Sequence, residues 1–376
     1  MTHSTSIDEH FLGVTDPRVE RTKLHSLRNI ITIALCGVIC GAESWTEIAE
    51  FGRAKQAWFA QFLDLENGIP SHDTFGRVFA ALNPAEFETA FLSLVQATVA
   101  EGEGNLVAID GKTLRRSHDR ANGKAALQLV SAWASDTHVV LGEVAVAPER
   151  SEPTAIPELL RLLMLRGCIV TIDAAGTHPA IAGQIREQEG DYVLALKGNQ
   201  PRLHQEVGEL FAQARASDFA GIAHETYTTL EKGHGRIERR RYWLITEPEY
   251  LAWLDPEGHW PGLSSVGMVE AERREGDTLT RETRTYLSSL DGDAEAFAKA
   301  VRGHWSIENR LHWLLDVAFR EDESRARIEH AAHNFAILRR LALHLLRNDT
   351  SAKIGIKGKR LKAGWDEAYL IHVLTR

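Results

Sequence analysis

The sequence predicts an α/β protein in which a helical N-terminal domain precedes a mixed β-sheet with a β-rich insertion. Apolar residues recur at three- and four-residue steps in the first hundred residues, and short apolar runs then alternate with helical segments. A polar, strand-like stretch follows before the last helices. The 376 residues are 44% hydrophobic and 25% charged, which is typical of a folded enzyme and excludes a disordered, collagenous or fibrous chain.

Helical periodicity predicts an N-terminal domain over residues 1–100. The apolar residues follow the helical period from Leu27 to about residue 100, and the Gly-Ile-Pro sequence before Ser71 interrupts it. Ser71 or Asp73 can cap the helix that follows. A helix, a turn and a second helix with a polar start are compatible with DNA end binding, and equally with ordinary helix packing. Residues 101–105 are predicted to be a linker.

Residues 101–200 alternate between predicted strands and helices. Their order, β-β-β-α-β-α-β, describes a mixed sheet with helices on its faces. The same order occurs in a ribonuclease-H-like core. The predicted strands are Leu106–Asp110, Ala126–Ala134, Val139–Val146, Cys168–Asp173 and Tyr192–Leu196, and the predicted helices are Ile156–Leu165 and Pro179–Glu187.

Residues 201–290 are predicted to be a β-rich insertion, and Gly276 with Asp277 predicts a hairpin turn inside it. Helical periodicity resumes over residues 291–347, which we assign to the last part of the core, and residues 348–376 are predicted to be a basic C-terminal tail. The alternating runs of the insertion are Tyr227–Leu230, Arg241–Ile245, Val266–Glu270 and Thr280–Tyr286.

Two aspartates follow apolar strands of the predicted sheet. Asp110 ends the first strand and Asp173 ends the fourth, so both carboxylates are expected in one crevice at the strand ends, where sheet enzymes place their sites. Each alone is also a common turn residue. On a late helix, Glu308 lies in a polar stripe at four-residue steps with His304, His312 and Asp316, a pattern that a solvated helix face also produces.

Three carboxylates form an oxygen-only site, which selects Mg²⁺ or Mn²⁺ over zinc. Two such ions can promote in-line displacement at a phosphodiester without a nucleophilic side chain. No compelling Ser/His/Asp or Cys/His arrangement and no Walker-type loop occur in the sequence. A zinc protease fits poorly, because its helix needs histidines four residues apart around a Glu, whereas His304 and His312 are eight apart.

Five motifs follow one another along the chain: Ala108–Arg115, Thr171–Gly176, Leu196–Gln200, His234–Arg236 and His304–Trp313. In this order they resemble the H-repeat-associated family of bacterial insertion-sequence DDE transposases. The resemblance also includes Cys40–Trp45 and Asn67–Thr74, and so covers nearly the whole chain. It implies a triad of Asp110, Asp173 and Glu308 that binds two divalent metals, with the β-rich insertion in the 135-residue gap before the last catalytic Glu.

The wider transposase group carries a Tyr, Arg and Lys signature around the last Glu, and this chain departs from it. Alignment on Glu308 places Val301, His304 and Leu315 at those positions, and His304 alone keeps a hydrogen-bond donor. The departure leaves open whether a hairpin intermediate forms. The candidate phosphate contacts, each of which is equally compatible with a solvated charge, are Lys112, Arg115, Lys197, His234, Arg236, Arg302 and His304.

The formal net charge of −9 argues at first against a DNA partner. Two segments reverse this balance, because Lys232–Arg241 has a net charge of +4 and Arg347–Lys362 has a net charge of +5. Either can follow a DNA backbone or lie in solvent. We therefore expect a polarised molecule whose DNA binding depends strongly on salt.

The resemblance implies a transposase that recognises terminal inverted repeats, hydrolyses phosphodiesters to free a 3′-hydroxyl and transfers it to target DNA. Pairing of two ends implies a homodimer or larger synaptic complex. The alternatives are a stand-alone nuclease and a catalytically silent DNA-binding remnant of a mobile element. Cys36, Cys40 and Cys168 are too few for a disulfide framework, and the longest apolar run is too short for a membrane span, so a cytoplasmic location is expected.

Overall fold

The structure is a computed structural model that describes residues 6–98, 106–119, 123–147, 149–233 and 235–375. The predicted linker at residues 101–105 and the predicted phosphate contact His234 lie outside these described residues. Helices and strands are numbered below in chain order.

The N-terminal region is helical, as predicted. Ser26 and Ser71 cap α2 and α5, and the Ser71 hydroxyl accepts a hydrogen bond from the backbone N–H of Thr74 at 3.2 Å. No single helix among the described residues has the length and apolar composition to cross a membrane, although the bent pair His72–Ala81 and Pro84–Val95 meets both criteria together. The helices are Ser6–Phe11 (α1), Leu27–Ile39 (α2), Trp45–Ala54 (α3), Gln56–Phe59 (α4), His72–Ala81 (α5) and Pro84–Thr98 (α6).

The first five strands have the order β3-β2-β1-β4-β5, with β1, β4 and β5 parallel and β2 and β3 antiparallel to their neighbours. This arrangement is a ribonuclease-H-like core, so the predicted fold class is confirmed. Helices α7 (Glu152–Arg161) and α8 (Pro179–Glu187) pack on one face. The strands are Leu106–Thr113 (β1), Gln128–Ala134 (β2), Val139–Ala145 (β3), Ile169–Ile172 (β4) and Asp191–Leu196 (β5).

The β-rich insertion continues the same sheet, because β9 pairs antiparallel with β5. Gly276 has a φ of +58° in the turn between β8 and β9, as the hairpin prediction requires. The insertion also contains α9 (Pro201–Ala216) and α10 (Pro248–Leu254), which the strand prediction for this region missed. The strands are His224–Gly233 (β6), Arg236–Ile245 (β7), Ser265–Glu275 (β8) and Thr278–Ser288 (β9).

A long helix carries the C-terminal part of the core. It consists of α11 (Ala294–Ile307), a π-helical turn at Glu308–His312 and α12 (Trp313–Phe319). It lies over β1 and β4, on the face opposite α7 and α8. Helix α13 (Ala331–Asn348) follows and shares one apolar core with α2, α5 and α6, so the N-terminal helices pack directly against the end of the chain.

The predicted basic tail is folded as α14 (Ile356–Trp365) and α15 (Glu367–Leu374). Two of its cations are buried: Lys359 donates to the carbonyl of Leu346 at 2.9 Å, and Arg360 donates to the carbonyl of Val38 at 2.9 Å. These carbonyls lie at the ends of α13 and α2, where helices leave acceptors without a partner. The net charge of this segment is therefore a poor measure of its DNA-facing charge.

Candidate active site

Asp110 and Asp173 lie side by side on the sheet. The last paired residues of the parallel strands β1 and β4 are Ile109 and Ile172, and the two aspartates come directly after them. The prediction that β1 ends at Asp110 was wrong, because the pairing of β1 with β2 continues to Thr113. The carboxylate of Asp173 is oriented by backbone N–H groups, which donate to its Oδ1 from Ala175 at 2.9 Å and Gly176 at 3.3 Å.

Glu308 completes the predicted group of carboxylates. It lies at the C-terminal end of α11 and lines a cavity of about 150 Å³ together with Asp110 and Asp173. Asp110, Glu308 and His312 each offer a ligand atom, and these atoms lie within 4.8 Å of one another. A π-helical turn is often found at a functional site, and this one spans the residues from Glu308 to His312.

The electrostatics of Asp110 reflect this crowding of acids. Burial raises the pKa of Asp110 to about 8, and the negative charges of Glu308, Glu152 and Asp173 act in the same direction. Without a cation, burial and the neighbouring acids therefore disfavour the ionised form of Asp110. Hard divalent cations take carboxylate oxygens as ligands, so the residues present fit such an ion.

Family comparisons give the class of protein to which this site belongs. The family model described as "Transposase DDE domain" matches residues 101–345, and the model described as "DDE_Tnp_1-associated" matches residues 8–95. The chain belongs to the DDE transposase family. The resemblance seen in the sequence motifs is thereby confirmed.

Individual relatives agree with this assignment. The Escherichia coli K12 protein named "H repeat-associated putative transposase YhhI" is 37% identical over 98% of this chain and 97% of its own length. "Putative protein YbfL" of the same strain is 38% identical over the same shares. A solved structure of the piggyBac transposase synaptic complex with hairpin DNA has a TM-score of 0.45 and 11% identity, and the similarity covers 95% of this chain and 75% of that chain.

The transposase has a fourth carboxylate near its site that the sequence interpretation missed. Glu152 begins α7 on the opposite face of the sheet and accepts a hydrogen bond from Gln128 Nε2 at 3.2 Å. Burial raises the pKa of Glu152, and the charge of Asp173 adds to the effect. No sequence signal distinguishes Glu152 from the many acids that occupy the first turn of a helix.

Two histidines of the predicted polar stripe have lowered pKa values, and His312 is buried whereas His304 is half-buried. Burial lowers the pKa of His304 to about 4, and its Nδ1 lies 3.0 Å from the hydroxyl of Thr171. Burial lowers the pKa of His312 to about 3, and its Nδ1 lies 3.4 Å from Asp110 Oδ2. His304 is therefore a neutral hydrogen-bonding group in the protein without DNA.

Lys112 lies inside the transposase, with its side chain 7% exposed. Its ammonium is 2.5 Å from Asp316 Oδ1 and 3.7 Å from Glu321 Oε2, and it donates to the carbonyl of His312 at 3.3 Å. Asp316, a member of the predicted polar stripe, therefore forms an ion pair with Lys112 on β1. This ion pairing occupies Lys112, so the position does not favour the predicted phosphate contact.

The other candidate phosphate contacts are spread over the surface. Lys197 is exposed and lines the same cavity as the three carboxylates. Arg236 is the first residue of β7 in the β-rich insertion. Arg115 is exposed and pairs with Asp322 at 3.1 Å, and Arg302 contacts Glu231 at 3.0 Å. The cavity lining also contains Arg284, a cation that the sequence interpretation missed. The Cζ atom of Arg284 lies 4.6 Å from the centroid of the half-exposed Trp305 ring, on which the guanidinium stacks.

Proposed function

We propose that the protein catalyses metal-dependent hydrolysis of phosphodiester bonds at the ends of a mobile DNA element, followed by transfer of the freed 3′-hydroxyl to target DNA. The observation that carries this proposal is the meeting of Asp110, Asp173 and Glu308 in one cavity. Two of these acids come from adjacent parallel strands and the third from the helix above them. Membership of the DDE transposase family supports the same three residues.

Asp110, Asp173 and Glu308 would hold Mg²⁺, or Mn²⁺ in its place, as a pair of ions. When bound, such ions lower the pKa of an attacking water or hydroxyl and stabilise the leaving oxygen. The raised pKa of Asp110 supports a cation at this position, because the carboxylates otherwise repel one another.

The protein itself orients the side chains that line the cavity. The N–H groups of Ala175 and Gly176 hold the Asp173 carboxylate, and His304 is held against Thr171 at the wall of the cavity. Because the acids are fixed on strands and a helix, they require little rearrangement when a phosphate arrives. No covalent intermediate between protein and DNA is expected from these groups.

DNA contacts are proposed for the surface around the cavity. Lys197 lies within the cavity lining, and Trp305 with Arg284 offers an aromatic and cationic surface of the kind that binds unpaired nucleotides. Arg115, Arg236 and Arg302 remain proposed contacts to the DNA backbone, farther from the cavity along the surface. The polar first turn of α5 after Ser71 is the candidate for recognition of the element end.

A homodimer or larger complex is proposed because two element ends must be brought together before they are joined. A nuclease that hydrolyses without strand transfer remains the alternative on the same core. Incubation with a pre-cut end carrying a 3′-hydroxyl separates the two, because a transposase yields joined products and a nuclease does not.

Replacement of Asp173 by Asn tests the proposed site. The substitution removes a metal ligand and no phosphate donor, so Asp173→Asn should abolish Mg²⁺-dependent cleavage of end-containing DNA while binding of that DNA is retained. Cleavage is scored on a denaturing gel and binding by mobility shift, with wild type beside the variant. Equal cleavage by the two proteins would remove Asp173 from the triad. Absence of cleavage by both proteins would favour the catalytically silent DNA-binding remnant.

A further inference from the structure

The side chain of His312 faces the proposed metal-binding carboxylates. Its Nδ1 lies 3.4 Å from Asp110 Oδ2, and its ligand atom lies within 4.8 Å of those of Asp110 and Glu308. The side chain is nine-tenths buried, so water does not compete for it freely. Glu308 and His312 are four residues apart, at the two ends of the π-helical turn, and both lie on the side of the helix that faces Asp110.

The second ring nitrogen does not fix the orientation of the ring. His312 Nε2 is buried and has no hydrogen-bond partner in the described part of the chain. A 3.4 Å separation is also longer than an ordinary N–H···O hydrogen bond, which measures about 2.9 Å. The ring is therefore held by its surroundings with one nitrogen directed at carboxylates, and a hydrogen-bond network does not explain its orientation.

The separation fits two donors on one ion. A nitrogen and an oxygen that each lie about 2.1 Å from a cation are about 3.0 Å apart at a right angle and about 3.4 Å apart at a tetrahedral angle. His312 Nδ1 and Asp110 Oδ2 fall in this range. Lys112 does not fill the space, because its ammonium is paired with Asp316.

We propose that His312 is a nitrogen ligand of the metal ion shared by Asp110 and Glu308, so that this site is not made of carboxylates alone. The inference rests on the proposed function, since it extends the same metal site. An imidazole nitrogen favours Mn²⁺ over Mg²⁺ and Ca²⁺, which prefer oxygen ligands. The site would then bind Mn²⁺ more tightly than a triad of acids does.

Pulsed electron paramagnetic resonance of Mn²⁺ bound to the full chain tests the proposal without an activity measurement. With less than one equivalent of Mn²⁺, the wild type should show spin-echo modulation from a directly coordinated imidazole ¹⁴N. Incorporation of ¹⁵N-histidine should remove that ¹⁴N modulation. A wild-type protein that binds Mn²⁺ without any imidazole modulation overturns the proposal.

Two variants identify the residue. His312→Gln should lose the modulation and raise the Kd for Mn²⁺ about tenfold in calorimetry. His304→Gln is the matched control, because His304 lines the cavity of the three carboxylates but is hydrogen-bonded to Thr171, and it should keep the modulation. Loss of the modulation in His304→Gln with retention in His312→Gln overturns the assignment.

A third variant separates this inference from the proposed function. Asp110→Asn should abolish Mn²⁺ binding if the carboxylates form the metal site. If Asp110→Asn binds Mn²⁺ as the wild type does, the metal site itself is wrong. If it loses Mn²⁺ while His312→Gln keeps the imidazole signal, the metal site stands and the proposal for His312 fails.

Discussion

At the scale of single residues, Gly111 shows how the site depends on a missing side chain. A Cβ atom at this position would lie 2.3 Å from Glu152 Oε2 and 2.4 Å from its carboxyl carbon. Gly111 alternates with Asp110 along β1, so Asp110 faces α11 while position 111 faces Glu152 on α7. The glycine after Asp110 is therefore explained by close packing against a carboxylate, and not by a turn.

Gly111→Ala should destabilise the fold by about 1–3 kcal/mol, because the new methyl group must displace Glu152 or bend β1. The same substitution in a Glu152→Ala background should cost much less, since the clashing carboxylate is gone. Urea unfolding of the four proteins in this double-mutant cycle measures the coupling. Additive changes in unfolding free energy would contradict the proposed contact.

At the scale of elements, the π-helical turn is the irregular part of the long helix, and it lies at the proposed metal site. A π turn is one extra residue inserted into an α-helix, and helical register continues normally on both sides of it. Here the insertion separates α11, which packs on β1 and β4, from α12, whose Leu315 is fully buried. Glu308 and His312 lie at its two ends.

Deletion of the exposed Asn309 should remove this turn and leave a continuous α-helix. Because both flanking registers can be kept, we expect far-UV circular dichroism and the urea midpoint to change little. Metal-dependent cleavage should decrease, because Glu308 and His312 would be three residues apart instead of four, and their ligand atoms would lose their present spacing around Asp110. Asn309→Ala, which keeps the chain length, is the control and should cleave; a deletion variant as active as this control would show that the turn is dispensable.

Sequence periodicity predicts regular elements well and single irregularities poorly. The sequence pattern predicted the order of strands and helices along the core and the Ser71 cap, because each depends on local patterns. It missed α9, although the buried positions Leu203, Val207 and Leu210 have helical spacing, because the region was interpreted as alternating strands. A single π turn does not alter an apolar period enough to be seen, and Glu152 approaches Asp110 only through tertiary packing.

At the scale of the whole molecule, a buried group of charges joins the N-terminal helices to the sheet and to α13. Glu143 on β3 donates its backbone N–H to Glu88 on α6 at 2.7 Å, and its carboxylate pairs with Arg340 on α13 at 2.5 Å. Arg340 also contacts Glu321, which lies 3.7 Å from Lys112. The N-terminal domain is thus connected through paired charges to the strand that carries Asp110.

Glu88 should make this junction sensitive to pH. Burial raises the pKa of Glu88 to about 8, and the nearby Glu143 adds to the effect. Because this folded-state pKa lies above that of an unfolded Glu, the contribution of Glu88 to stability is complete below about pH 4.3 and is lost as pH rises toward 8. The loss amounts to roughly 3 kcal/mol by pH 7.

Glu88→Gln should therefore be increasingly more stable than the wild type as pH rises from 5 to 8, since Gln keeps an oxygen acceptor for the Glu143 N–H but cannot ionise. Urea unfolding at several pH values measures the difference directly. Glu187→Gln, an exposed substitution on α8, is the control and should follow the wild type at every pH. A constant difference between Glu88→Gln and the wild type would mean that Glu88 is ionised in the folded protein throughout this range, and that Arg340 stabilises three acids at the junction instead of two.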